Sequence, residues 1–228
     1  MHGIVRFQGT GFSGVPASLS KPVTSLCASR ICITGSAAAM VTVNTINHPG
    51  VVSLSDSTTA AGGYKYGCVA TGSQLIGGGE TFEVVFKPNG VRTTQGFQMG
   101  WSDTAAANTQ PVDGVYFNIT GNAGALVLRG NTSANSVRSG TLTTYAPASG
   151  TWYRGTITVN DAATLVTYTI YNEAGASLWT DTVATNIPTA ASRDTSPCII
   201  VAESTSDVAA IIVNLDYVRW GTTRTLVR

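Results

Sequence analysis

The sequence predicts an all-β fold, a two-sheet antiparallel sandwich of the jelly-roll type. About a dozen short stretches alternate apolar and polar residues with the period of two that half-buried strands show. Turn signals rich in Gly, Pro, Asn and Asp separate these stretches at intervals of about 8–12 residues. The sequence shows no convincing helical period, and no repeat of fixed length indicates a propeller or a β-helix.

The clearest strands lie between residues 150 and 183. Along residues 153–159 apolar and polar side chains alternate, and residues 166–171 repeat the pattern. The four residues 160–163 between them are short and polar, which predicts a hairpin loop. A second turn at residues 172–175 and a third strand at 177–183 complete an antiparallel meander with one polar face.

The other predicted strands each place apolar residues on one face. Phe82, Val84 and Phe86 share a face, as do Phe97, Met99 and Trp101. In the last strand Ile211, Val213, Leu215 and Tyr217 share one face, while Asn214 and Asp216 share the other. The predicted strands outside the meander are 41–43, 51–54, 64–70, 80–86, 97–101, 115–119, 126–129, 137–145, 198–202 and 209–220.

The strand pattern divides the chain into two regions. Residues 41–228 form the predicted sandwich domain. Residues 1–40 are less regular, since glycines and a proline interrupt residues 9–16. This segment is either an arm that docks onto a neighbouring subunit or a pair of extra strands.

Composition excludes several classes of function. Charged residues make up 11% of the chain and the net charge is +1, against about 25% charged residues in an average domain. Without a stripe of Lys and Arg we expect no nucleic-acid partner. No apolar run approaches the roughly 20 residues of a membrane helix, and residues 1–6 lack a signal-peptide pattern. We therefore expect no membrane partner and folding in a cytosol.

The four cysteines are Cys27, Cys32, Cys68 and Cys198. The spacing of Cys27 and Cys32 is unusual for zinc, and no histidine lies near them. We expect free, partly buried thiols, because no signal peptide is visible. A disulfide is the alternative if the protein is exported.

Several short motifs resemble the concanavalin-like (laminin-G-like) jelly-roll domains of bacteriophage virion proteins, over about residues 44–220. They are residues 48–52 (HPGVV), 79–83 (GETFE), 97–103 (FQMGWSD), 113–117 (DGVYF), 150–154 (GTWYR) and 215–218 (LDYV). The resemblance implies a two-sheet jelly roll with one concave sheet. It also implies a homo-oligomeric head fibre, capsid decoration or tail fibre protein, made in the host cytoplasm, with other virion proteins as partners.

No catalytic set is apparent, so we expect no enzyme. Glycosidases of this fold need two carboxylates on one face, but Glu80 and Glu83 are three residues apart and should point to opposite faces. Asp216 has Asn214, not a carboxylate, two residues before it. A catalytic triad would need His2 or His48, and we expect His48 to be a turn or surface residue because Pro49 follows it.

We expect neither a metal site nor another cofactor. Asp103, Asn108 and Asp113 lie in or beside one polar loop, and their oxygens suit a hard cation. Their spacing matches no fixed calcium loop, so capping of turns is the simpler interpretation.

A sugar-binding face is the best candidate site, because sugars are bound by aromatic rings and planar polar side chains. If their strands are adjacent, seven residues from polar strand faces would line one concave sheet. The alternative is a polar face that meets water or another subunit. We expect the four tryptophans, Trp101, Trp152, Trp179 and Trp220, to lie in the core. The seven candidates are Gln98, Tyr116, Asn118, Arg154, Thr156, Thr158 and Asn160.

The sequence therefore predicts a non-enzymatic bacteriophage virion structural protein. A carbohydrate-binding module for receptor attachment, with a host surface glycan as partner, is the first alternative. A glycan-cleaving enzyme is the second.

Overall fold

The computed structural model describes residues 3–6, 26–28, 31–35, 38–40, 47–48, 51–55, 62–66, 76–89, 96–103, 111–122, 125–190, 195–201 and 212–223. These residues form strands and the turns between them. The strands are β1 (Gly3–Arg6), β2 (Leu26–Ala28), β3 (Ile31–Gly35), β4 (Ala38–Met40), β5 (Val52–Ser55), β6 (Gly62–Tyr66), β7 (Glu80–Asn89), β8 (Gly96–Ser102), β9 (Gly114–Asn122), β10 (Ala125–Ala134), β11 (Val137–Gly140), β12 (Tyr153–Val159), β13 (Val166–Tyr171), β14 (Ser177–Val183), β15 (Ser196–Val201) and β16 (Ile212–Thr222).

The strands form two antiparallel sheets of eight strands each. The first sheet has the order β14-β13-β12-β7-β16-β5-β4, with β1 also paired to β16. The second sheet has the order β11-β10-β9-β8-β15-β6-β3-β2. The prediction of an all-β, two-sheet antiparallel sandwich is therefore confirmed.

The core lies between the two sheets. Strand β7 contributes Phe82, Val84 and Phe86 from the first sheet, and they are buried because every second residue of that strand faces inward. Phe97, Met99 and Trp101 of β8 face them from the second sheet. Edge-to-face contacts such as Phe82 with Trp101, with ring centroids 5.5 Å apart, join the two layers.

The predicted meander is present as β12, β13 and β14, which are neighbours in the first sheet. Its hairpin loop is held by Asn160, whose side-chain Oδ1 accepts hydrogen bonds from the backbone N–H groups of Thr164 (2.8 Å) and Leu165 (3.0 Å). Ala163 has a positive φ of 52° in this loop. The polar residues of the loop thus satisfy backbone donors that the strands leave unpaired.

Strand β16 departs from the predicted alternation. Leu215 pairs with Phe86 and Tyr217 pairs with Val85, so Asp216 is an extra residue at a β-bulge. Val218 continues the core face and is fully buried, whereas Tyr217 is half-buried. The prediction that Tyr217 shares a face with Leu215 is wrong, because the bulge shifts the alternation by one residue.

The described strands of residues 1–40 lie within the two sheets. Strands β1 and β4 extend the first sheet, while β2 and β3 extend the second. A contact between this segment and a neighbouring subunit stays a prediction.

Among the described side chains Cys198 is a fully buried cysteine. The backbones of Cys27 and Cys32 pair directly between β2 and β3, and Cys68 lies outside the described residues. In the part of the chain that the structure describes, no helix has the length and apolar character to cross a membrane.

Candidate functional site

An open groove of about 610 Å³ lies on the outer face of the first sheet. This volume is within the range of about 300–1,000 Å³ that is usual for small-molecule sites. The polar and aromatic residues that line it are Asn47, His48, Trp152, Tyr153, Arg154, Asn172, Glu173 and Asp216.

Strand register explains why these residues meet. Arg154 lies opposite Val85 on β7 and opposite Tyr171 on β13, and Val85 in turn lies opposite Tyr217 on β16. The Asp216 bulge is therefore in the same row of the sheet as Arg154. Glu173 comes from the turn after β13, which places it above this row.

His48 is the centre of the groove. Its Nδ1 lies 3.1 Å from Oδ2 of Asp216, and its Nε2 lies 3.1 Å from Oε1 of Glu173. The imidazole stacks on the indole of Trp152, with ring centroids 3.9 Å apart and planes inclined by 18°. A neutral imidazole donates to only one of the two carboxylates, whereas an imidazolium donates to both.

The surface position predicted for His48 is wrong, whereas the predicted turn continues into residues 49–50, which lie outside the described residues. We expected a turn or surface residue, but the residue is only 7% exposed. The Trp152 stack and the Asp216 carboxylate, neither of which is near it in sequence, account for this burial.

Two cations border the groove, and each lies over an aromatic ring. The guanidinium of Arg154 is 4.1 Å from the ring centroid of Tyr171, and its NH1 is 3.4 Å from Oε1 of Glu83. The ammonium of Lys87 lies 5.0 Å from the ring centroid of Trp152. Such cation–π contacts hold long side chains in place without using all their hydrogen-bond donors.

Asp216 has one carboxylate oxygen unused. Its Oδ2 meets His48, but its Oδ1 is buried and has no hydrogen-bond partner among the described residues. An unpaired buried acceptor is costly, and in native proteins it calls for an explanation.

The seven predicted sugar-binding residues do not share one face. Gln98 and Asn118 pair directly between β8 and β9, and Tyr116 lies on β9, so these three belong to the second sheet. Arg154, Thr156 and Thr158 belong to β12 of the first sheet, and Asn160 follows that strand. The condition that their strands are adjacent is not met, because β9 and β12 are in different sheets, so the seven do not line one concave sheet. Of the seven, Arg154 alone lines the groove.

Tyr116 is fully buried. Burial is the largest cause that raises the pKa of its hydroxyl above the ordinary value. A side chain in this position is part of the packed protein rather than an open platform.

Other predicted residues have structural contacts. Glu80 and Glu83 lie on opposite faces of β7, as predicted, and the Glu80 carboxylate accepts hydrogen bonds from the N–H groups of Gly77 and Gly78. Trp101 is in the core, as predicted, and Trp179 and Trp220 pack against it. Trp152 lines the groove instead, which corrects the prediction that it belongs to the core.

The described ends of the polar loop, Asp103 and Asp113, make structural hydrogen bonds. Asp103 donates its N–H to the carbonyl of Asp113, and the Asp113 carboxylate accepts from the N–H of Asn135 at 2.8 Å. Asn108 lies outside the described residues. Among the residues that are described, no group of three His, Cys, Asp or Glu side chains is arranged to hold a metal ion.

Sequence reasoning missed His48, Trp152, Glu173 and Asp216 as a group. Each lies in a different segment, and two of them, His48 and Asp216, are 168 positions apart. The one local signal was the motif around Trp152 (GTWYR), which pairs an aromatic residue with an arginine.

The fold and the groove define a β-sandwich protein with a polar surface site. The chain belongs to the family described as SO2946-like, C-terminal domain, whose model matches residues 47–216. A search of curated protein sequences found no match.

Three solved structures are similar in fold. The protein of unknown function SO2946 from Shewanella oneidensis MR-1 has a TM-score of 0.68 at 18% identity, covering 99% of this chain and 89% of that chain. The carbohydrate esterase vb_24B_21 from Shiga toxin-encoding bacteriophage phi24B has a TM-score of 0.55 at 15% identity, covering 84% and 90%. The family 7 alginate lyase A1-II' has a TM-score of 0.50 at 13% identity, covering 76% and 80%. At these identities the likeness shows the fold alone.

Proposed function

We propose that the protein binds a carbohydrate through the groove around His48, without cleaving it, as part of a bacteriophage particle. The observation that carries the proposal is the groove itself, where an aromatic pair, a guanidinium and two carboxylates face one open space. Sugars present apolar ring faces and many hydroxyl groups, and this combination of side chains can bind both.

The particle context has separate support. The sequence motifs resemble concanavalin-like domains of phage virion proteins, and one structure of similar fold is a phage carbohydrate esterase. A head fibre, capsid decoration or tail fibre position, with other virion proteins and copies of itself as partners, fits the low charge of the chain. Co-sedimentation of the protein with purified particles tests this part, and a protein that stays free of particles contradicts it.

A glycan array with two matched variants tests the binding site. Arg154→Ala removes a side chain that lines the groove, and Asn118→Ala removes one from the second sheet. We expect the array signal to fall strongly for Arg154→Ala and to stay near wild type for Asn118→Ala. Loss of binding in Asn118→Ala alone would move the site to the other sheet, and a wild-type protein without any signal would refute glycan binding.

Glycan cleavage is the second candidate function. The observation in its favour is the buried pair of His48 and Asp216 beside an open groove, since a histidine oriented by a carboxylate is a common general base. Release of new reducing ends from a polysaccharide panel, abolished by His48→Gln, would support it. We expect no release from the wild-type protein.

A further inference from the structure

We infer that the groove selects uncharged, hydroxyl-rich sugars and discriminates against sugars that carry carboxylate, sulfate, phosphate or free amino groups. This inference rests on the proposed carbohydrate-binding function and names the class of ligand for the same site. It depends on the buried carboxylate of Asp216 and on the arrangement of charges around it.

The Asp216 carboxylate sets the first requirement. The residue is 9% exposed, it lines the groove, and its Oδ1 has no hydrogen-bond partner among the described residues. An ionised carboxylate oxygen only accepts hydrogen bonds. Because Oδ1 is enclosed, the carboxylate acts on a ligand in the groove through its negative charge, which a neutral hydroxyl tolerates and a carboxylate, sulfate or phosphate group does not.

Charge gives the second argument against anionic sugars. Among the described residues in or beside the groove, Asp216, Glu173 and Glu83 are carboxylates and Arg154 and Lys87 are cations, and Arg219 lies opposite Glu83 on β16. The three negative and three positive groups leave no net charge when His48 is neutral, so the groove has no net attraction for an anionic sugar. An anionic sugar would bring its charge next to carboxylates of the same sign.

Cationic sugars meet the opposite obstacle. Arg154 lines the groove with its side chain 40% exposed, and among the described residues only its NH1 is paired, with Glu83 at 3.4 Å. A protonated amino sugar would approach this guanidinium, whereas a neutral hydroxyl can accept a hydrogen bond from it. Uncharged sugars are therefore the class that can use both the carboxylates and the guanidinium.

The experiment compares matched oligosaccharides by calorimetry at low ionic strength. The pairs are galacto-oligosaccharide with oligogalacturonate, manno-oligosaccharide with oligomannuronate, and gluco-oligosaccharide with a glucosamine oligomer. A glycan array that carries neutral, acidic and amino glycans identifies which backbone to use. We expect the neutral member to bind at least about tenfold more tightly than its charged counterpart.

Two variants connect the selectivity to the carboxylates. Asp216→Asn and the half-exposed Glu173→Gln each remove one negative charge, and both should lower the preference for neutral over acidic sugars by roughly tenfold. Asp161→Asn makes the same change in an exposed turn outside the groove and should leave the preference unchanged. Using Glu173→Gln keeps the test valid if Asp216→Asn fails to fold.

The results distinguish carbohydrate binding by the groove from its selectivity for uncharged sugars. A charged oligosaccharide that binds as tightly as its neutral counterpart, or variants that leave the preference unchanged, would overturn the inference while leaving carbohydrate binding intact. A complete absence of binding on the array would overturn the proposed function and the inference with it.

Discussion

Replacement of His48 by alanine tests the contacts that build the groove. In the native protein the imidazole meets two carboxylates at the same distance, 3.1 Å, and stacks on Trp152. The two carboxylates differ in burial, since the side chain of Asp216 is 13% exposed and that of Glu173 is 55% exposed. In the His48→Ala variant the buried Asp216 carboxylate loses its imidazole partner. The exposed Glu173 carboxylate loses the same partner but can be hydrated by water.

The expected cost follows from that difference. Removing one partner of a buried charge pair destabilises a protein by about 3–5 kcal/mol, and the aromatic stack contributes about 0.5–1.5 kcal/mol. An exposed pair is worth about 0–1 kcal/mol. We expect His48→Ala to lower the free energy of unfolding by about 3–5 kcal/mol. At about 2–4 °C per kcal/mol for a chain of this size, the melting temperature should fall by roughly 6–20 °C. The Glu173→Ala variant should cost at most about 1 kcal/mol.

Urea denaturation of single and double variants measures these values. The loss of unfolding free energy in the His48→Ala/Asp216→Ala double variant should be smaller than the sum of the two single losses by at least about 1.5 kcal/mol. The reason is that the double variant no longer contains the buried, unpaired carboxylate. The His48→Ala/Glu173→Ala variant should be additive within about 0.5 kcal/mol. A cost below about 1 kcal/mol for His48→Ala, or equal coupling of His48 to both carboxylates, would refute the reasoning.

Two further predictions concern the sandwich. Gly130→Ala should destabilise the protein by about 1–3 kcal/mol, because a Cβ there would lie 2.3 Å from Cγ of the fully buried Tyr168. Thermal unfolding measures this, with Gly150→Asn as the control, since nothing lies within 4 Å of a Cβ at Gly150 and asparagine tolerates its φ of 78°; an unchanged Gly130→Ala would contradict the packing argument. For Asp181, burial is the largest single effect and tends to raise the carboxyl pKa, but hydrogen bonds from the hydroxyl and N–H of Thr143 and the N–H of Thr182 outweigh it and lower the pKa below 3.8. Because the folded-state pKa is lowered, this carboxylate stabilises the protein fully above about pH 3.8 and the contribution disappears as the pH falls through the lower folded-state pKa. Thr143→Val should move the pKa of Asp181 back toward 3.8 in an NMR titration, and an unmoved pKa would show that the hydroxyl is unimportant.

The local pattern of the sequence was sufficient to predict the strands and the core. Side chains of a strand alternate between two faces, so Phe82, Val84 and Phe86 had to share a side wherever that strand lay. The meander of β12, β13 and β14 was equally local, because its strands are consecutive and joined by short polar turns. These predictions need no knowledge of what the strands pack against.

The order of strands in the sheets could not be predicted in the same way. Strand β7 lies between β12 and β16, although β12 begins 64 positions after the end of β7 (Asn89 to Tyr153) and β16 begins 123 positions after it (Asn89 to Ile212). Pairing of distant strands depends on how the two sheets close over the core, which a local period does not record. For that reason Asn118 and Arg154, both on polar faces, were assigned to one surface when they belong to different sheets.

The bulge in β16 shows why the groove could not be predicted from the sequence. A strict alternation would place Leu215 and Tyr217 in the core and Asp216 on the solvent-exposed face of the strand. The extra residue instead lets Val218 take the core position opposite Val84, so Asp216 has no directly paired residue on β7. Its carboxylate meets His48, which is 168 positions away and is buried because Trp152 stacks on it. A site assembled from one irregular strand residue and two distant loop residues has no period and no fixed spacing, and only the three-dimensional arrangement reveals it.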